Sequence, residues 1–202
     1  MNRINERINV RKSKKSDPVE PIARCLYLTD PYIYPQISGS AEDPLWIDYV
    51  TRSFRKSGAL FGRENLIVAE TEGRIVGVCC LIRGGVRYAS MLPEAEICPS
   101  PAFQKVKQGY FDPLILENLS LAGRNLTNLC VLPAFRGRGV GRAMLDRIIA
   151  LYGKEDLHLD VLAENAAAIA LYEAAGFFVT SGYDGFGIDG TVPCLHMLRP
   201  GE

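Results

Sequence analysis

Two clusters of residues in this sequence have the types and spacing to hold a ligand and act on it. The first is Arg136-Gly137-Arg138-Gly139-Val140-Gly141-Arg142, set between an apolar run that ends at Pro133 and a helix-like pattern. Free backbone N–H groups and the helix dipole favour an anion at such a junction, and glycines let a pyrophosphate approach the chain closely. A Walker loop would need G-x-x-x-x-G-K followed by Ser or Thr, and a dinucleotide turn would need G-x-G-x-x-G; this turn has G-x-G-x-G and no Lys. The second cluster is Asn165, Ala168 and Tyr172, at helical spacings of three and four. Asn and Tyr then share a helix face about 10 Å apart, with small alanines leaving room for a thin ligand. Asn165 fits equally as a helix cap for Ala167 or Ala168, and Tyr172 as a half-buried packing aromatic.

The other reactive side chains are less organised. The six cysteines, at 25, 79, 80, 98, 130 and 194, form no C-x-x-C pair, and the two histidines, His158 and His196, lie far apart in the sequence. This predicts no metal site and no disulfide framework, with the thiols acting as small core residues.

The elements that must position these clusters follow from the patterning. Arg7 to Ser13 alternates like a strand, and a helix is expected over about Val19 to Leu28. The prolines of "TDPYIYP" then force a loop, in which Tyr32 and Tyr34 either face a ligand or pack on the surface. "AEDPLWIDYVTRSF" reads as a second helix with Pro just after acidic capping residues. "NLIVAETEGRIVGVCCLIRG" reads as an antiparallel hairpin. A long connection from Gly84 to Asn125 contains one weak helical stretch, "DPLILENLSLAG". A strand over Asn125 to Pro133, a helix carrying Val140, Met144, Ile148 and Leu151, and a strand over Asp156 to Leu162 form a right-handed parallel crossover. The helix "NAAAIALYEAAG" ends at Gly176, and two closing strands follow, joined by a Gly-rich loop.

With 202 residues, 48% of them hydrophobic, the chain fits one domain spanning 1–202, with its core at about 7–199. A formal net charge of zero argues against a general polyanion binder, and no aromatics interleave with "RKSKK", so no nucleic-acid partner is expected. The longest apolar stretch, "IVGVCCLI", is less than half the length a membrane helix requires, and no signal-peptide core follows the basic start. The expected location is therefore cytoplasmic, away from membranes, and a homodimer is compatible with this.

"VLPAFRGRGVGRAML" resembles the motif V-x-P-x-x-(Q/R)-x-x-G-x-(G/A) of the GNAT superfamily of N-acetyltransferases, and "ENAAAIALYEAAGF" resembles their following N-x-x-A-x-x-L-Y-x-x-x-G-F segment. The resemblance implies an α/β (α+β) single-domain fold: a mixed, mostly antiparallel twisted sheet of about seven strands flanked by helices, with a V-shaped splay between two parallel strands. It implies acetyl-CoA as cofactor, its pyrophosphate on the backbone of Gly137 to Arg142 beside Arg136, and its pantetheine arm along Leu129, Cys130 and Val131. A backbone N–H near Leu129 to Val131 would stabilise the tetrahedral oxyanion of direct transfer to an amine.

Tyr172 matches the family's tyrosine that protonates the departing sulfur, and Asn165 would bind the same cofactor. Asp160 matches a position where one branch of the family carries Glu as base; its alternative is a solvent-facing strand residue or an ion pair. Thr127, Asn128 and Cys130 offer no good base, and Glu117 is an outside candidate. "NAAAIALYE" is especially similar to the branch that acetylates the N-terminal alanine of a ribosomal protein. Motifs around a shared cofactor do not name the acceptor, which is expected to be a small-molecule or peptide amine. The competing expectation is a non-catalytic acyl-CoA-binding module that keeps the turn and lacks a base.

Overall fold

The computed structural model describes residues 7–32, 34–85, 121–187 and 190–202. One seven-stranded sheet runs through it: β1 (Asn9–Lys12), β2 (Leu66–Thr71), β3 (Arg74–Arg83), β4 (Arg124–Val131), β5 (Leu157–Leu162), β6 (Phe178–Gly187) and β7 (Gly190–Arg199), in the spatial order β1-β2-β3-β4-β5-β7-β6. Every neighbouring pair is antiparallel except β4 with β5. The described helices are α1 (Val19–Tyr27), α2 (Tyr34–Ile37), α3 (Pro44–Arg55), α4 (Val140–Tyr152) and α5 (Ala166–Glu173).

α1, α3 and α4 form because each carries one apolar stripe. α3 starts at Asp43, whose carboxylate accepts from the Leu45 N–H at 2.8 Å, with Pro44 in the first turn where its missing N–H costs nothing. Its Trp46, Tyr49 and Phe54 are buried, and the Trp46 indole donates to the Ala23 carbonyl at 2.8 Å, tying α3 to α1. α4 buries Val140, Met144, Leu145 and Ile148. α1 and α3 cover one face of the sheet over Leu66, Val68, Val78 and Cys80; α4 and α5 cover the other over Ile67, Cys79, Leu81, Leu157 and Leu159. With both faces covered, β3 can be apolar almost throughout, which accounts for "IVGVCCLI".

The loop expected at "TDPYIYP" contains the short α2, and the Gly-rich loop expected before Pro193 is instead extended chain of β6 and β7. Glycines there leave backbone groups available to the ladder even though they weaken a strand's local preference. Of the long connection, residues 86–120 lie outside the described residues, and Glu117 and Cys98 with them.

The feature that positions the site is where β4 and β5 stop pairing. Their ladder holds Arg124 to Leu157, Asn125 to His158 and Leu126 to Leu159, and ends there. Beyond it β4 continues along β3 and β5 continues along β7. The β3–β4 register supplies a cause: Cys80 pairs with Asn128 and Leu81 with Leu126, so Thr127 is a surplus residue, a β-bulge. Bulges bend the strand that carries them, and this one directly follows the last β4–β5 pair.

Candidate active site

The gap between the diverging strands is a cavity of about 270 Å³. Asn125 to Leu129 of β4 form one wall and Leu159 to Leu162 of β5 the other. Asn165, Ala168, Leu171 and Tyr172 close it from α5, and Thr29 to Tyr32 with Tyr34 from the α1 side. The structure therefore brings Leu129, Asp160, Asn165 and Tyr172 together in one space. Tyr32 and Tyr34 are also at the cavity, where the Tyr32 hydroxyl donates to Glu164 Oε1 at 3.0 Å, linking the segment after α1 to the one after β5.

Tyr172 is 8% exposed, and burial pushes its phenol above the usual tyrosine range, so it stays a proton donor at neutral pH. α5 holds it in place at both ends. Asn165 accepts from the Ala168 N–H at 3.2 Å as an N-cap. Past the other end, Gly176 takes the left-handed φ of 89°, with Gly176 N–H to Glu173 O and Phe177 N–H to Tyr172 O. Asn165 thus has the capping role while also facing the cavity.

Arg136 to Arg142 do not line the cavity; they follow β4 and lead into α4. Gly137 and Gly139 have φ of 71° and 83°, and a Cβ built on either meets nothing within 4 Å, so the backbone is open to an approaching group. Gly139 is the N-cap of α4 and brings no side chain to its N–H groups. The arginines serve the local fold: Arg136 Nε donates to the Val131 carbonyl at 3.0 Å, and Arg142 reaches Asp146 and the Ala174 carbonyl, each at 2.8 Å. Arg138 lies over the Phe135 ring, 5.4 Å from its centre. An uncapped helix start with open glycines, reached along a strand edge that has left its partner, fits the pyrophosphate and pantetheine parts of acetyl-CoA.

Cys130 is buried in the α1–α3 cluster, where the contact with Cys130 and burial hold the Cys25 thiol above its ordinary range. Its side chain packs, and only its backbone is left for a cofactor role. Asn128 lies on the same side, donating to Thr29 Oγ1 at 2.6 Å and to Tyr34 Oη at 3.1 Å.

Asp160 sits on the β5 wall with its side chain 25% exposed, and Oδ1 lies 2.9 Å from His196 Nδ1. His196 Nε2 is 3.2 Å from His158 Nδ1, and His158 Nε2 is 3.0 Å from the Ala122 carbonyl. Pairing of β5 with β7 sets Asp160 opposite His196, joining two histidines that sequence separation had set apart. The signal was present in part: His158 and Asp160 are two apart on one strand and so share a face.

Residues 62–179, more than half of the chain, match the family model of the acetyltransferase (GNAT) domain. The chain belongs to the GNAT acetyltransferase family. Over 78 residues it is 38% identical to the ribosomal protein bS18-alanine N-acetyltransferase of Escherichia coli, a match covering 37% of this chain and 53% of that protein. The aligned part thus spans about half the length of this curated relative. Among solved structures, an N-acetyltransferase from Staphylococcus aureus superposes with a TM-score of 0.70 at 18% identity, over 94% of this chain and 99% of that one. The NatC complex bound to a Gag peptide and CoA gives 0.56 at 14% identity, over 96% and 98%. At these identities the structures support the fold: an open mixed sheet with one parallel pair. GNAT membership brings acetyl-CoA with it as the family's cofactor. Among the described residues no group of His, Cys, Asp and Glu is arranged to hold a metal ion, and no helix is long and apolar enough to cross a membrane.

Proposed function

We propose that this chain is an acetyl-CoA-dependent N-acetyltransferase that acetylates a primary amine of a small molecule or peptide. One observation carries the reading: the cavity opened by the β4–β5 divergence has a carboxylate, Asp160, on one wall and a buried phenol, Tyr172, on another. Acetyl-CoA, when bound, supplies an acetyl group activated as a thioester. The backbone of Gly137 to Arg142 with Arg136 and Arg138 alongside, the edge of β4 from Leu129 through Cys130 to Val131, and Asn165 would hold it.

The chain's own residues then have two proton tasks. An ammonium must lose a proton before its nitrogen can attack, and Asp160, a carboxylate of the β5 wall, would accept it. A sulfur that leaves as thiolate needs a proton, and Tyr172 is a donor kept protonated by its burial. Among the described residues the cavity lining contains Asp30 and Asp160 and no Lys or Arg, which favours a cationic acceptor. Positioning of the two reactants supplies much of the remaining acceleration.

The test is release of free CoA thiol on incubation with acetyl-CoA and a panel of amines. Peptides with an N-terminal alanine head the panel, as the name of the E. coli relative suggests, followed by polyamines and small amines. Turnover with at least one acceptor is expected. Binding of CoA with no turnover on any of them would instead make the chain a non-catalytic acyl-CoA-binding module.

A further inference from the structure

The bulge at Thr127 decides which way Asn128 faces. Asn128 pairs with Cys80 and Cys130 with Val78, which sets Asn128 on the α1–α3 face of the sheet with these three residues. Leu126, two positions earlier, packs under α4 instead. On a regular strand Leu126 and Asn128 would share a face; the surplus residue re-aims the amide toward α1.

The hydrogen bonds then fix which end of the amide is which. The Leu26 carbonyl can only accept, so the Thr29 hydroxyl, 2.6 Å away, directs its hydrogen there. Toward Asn128, also at 2.6 Å, Thr29 Oγ1 offers lone pairs alone, and the atom facing it must be the amide nitrogen. The second amide hydrogen goes to Tyr34 Oη at 3.1 Å. Both donors are committed, and the polar atom that remains is the carbonyl oxygen. No donor among the described residues meets it. In the buried and half-buried described residues, every side-chain oxygen or nitrogen sealed from open space has a hydrogen-bond partner except Thr71 Oγ1. Asn128 Oδ1 therefore reaches open space, and the open space at Asn128 is the cavity.

We propose that Asn128 Oδ1 binds the acceptor's ammonium group from the β4 wall, holding one N–H and so setting the direction from which the nitrogen meets the thioester. The proposal rests on the acetyl-transfer reading. The cofactor's own amide N–H groups compete for this oxygen, and the two faces of the sheet separate the candidates. The start of α4 and Tyr172, given to the cofactor above, belong to the face under α4 and α5, whereas Asn128 lies on the α1 side. A substrate class follows from counting hydrogens. Of the three N–H bonds of a primary ammonium, one is lost as a proton, one supplies the hydrogen that ends on sulfur, and one survives in the amide product. Asn128 holds the one that survives. An N-methyl amine has no such hydrogen, so the site selects primary amines.

The test uses the amine of the panel that turns over fastest and its N-methyl counterpart, with wild type, Asn128→Leu and Asn128→Asp. Leucine removes the oxygen; aspartate keeps an oxygen and loses both donated hydrogens. In Asn128→Leu the acceptor KM should rise about tenfold or more with the KM for acetyl-CoA unchanged, and the preference for the primary amine should shrink about tenfold. Asn128→Asp should keep the acceptor KM within about threefold of wild type. If the amide served only to hold Thr29 and Tyr34, both variants would fail alike. An unchanged acceptor KM in Asn128→Leu, an equal rise in both variants, or a raised KM for acetyl-CoA overturns the proposal. Carbon NMR of the wild-type full chain, labelled at its asparagine side-chain carbonyls and mixed with CoA, gives a reading independent of variant folding. Added ethylammonium should shift the Asn128 carbonyl signal, and a signal that stays in place also overturns the proposal. If wild type acetylates no amine, the acetyl-transfer reading fails instead, and the titration still decides whether Asn128 binds an ammonium.

Discussion

On the β4 wall of the cavity, Asn128 gives its amide hydrogens to Thr29 and Tyr34, a set of groups that neither gain nor lose protons near neutral pH. On the β5 wall, Asp160 ends a chain of two imidazoles that runs through His196 and His158 to the Ala122 carbonyl. The two strands are neighbours in one sheet and pair over their first residues, yet one wall presents an amide among hydroxyls and the other a carboxylate joined to imidazoles. The difference originates in their partners. β4 is backed by β3 and the α1 segment, which offer hydroxyls and carbonyls, whereas β5 is backed by β7, which offers His196.

Four substitutions separate placing from proton handling. Gly139→Val strains a left-handed position and puts a side chain over the open backbone at the start of α4, so acetyl-CoA binding measured by calorimetry should be lost. Retained affinity would move the pyrophosphate site elsewhere. Asp160→Asn keeps the shape of the β5 wall and removes its proton acceptor; kcat/KM should fall about 10²- to 10⁴-fold while acetyl-CoA still binds. A loss below tenfold would make Asp160 a structural partner of His196.

Tyr172→Phe should lower kcat by about 10- to 100-fold without altering cofactor affinity, and an unchanged turnover number would remove the phenol from the reaction. Asn128→Ala, on the placing wall, removes the amide that donates to the Thr29 and Tyr34 hydroxyls. It should cost about 1–3 kcal/mol in denaturant unfolding and leave the pH profile where it was. A shifted profile would mean that the β4 wall handles protons too.

Local features were legible in the sequence and long-range ones were not. The turn, α4 and α5 could be read because capping, glycine placement and helical spacing act within a few residues: Gly176 closes α5 with the left-handed geometry its type suggests. Alternation in "NLTNLCVLP" announced a strand but could not show that Thr127 is surplus. On a regular strand Leu126, Asn128 and Cys130 would share a face. Here Leu126 packs under α4 while Cys130 packs under α1. The histidine chain was hidden for a related reason, since strand pairing across 36 residues of separation is set by topology and leaves no local mark. The glycines of β6 misled in the other direction, because local preference pointed to a loop where ladder bonds hold a strand.

The bulge at Thr127 also bears on how such a site can diversify. The opening is held by a mismatch in residue count between two backbones, so it does not depend on which side chains cover its walls. Thr29, Asp30, Tyr32 and Tyr183 can be exchanged for residues that select another acceptor while the space for the reaction persists. A protein built this way can change its clientele without rebuilding its catalytic frame.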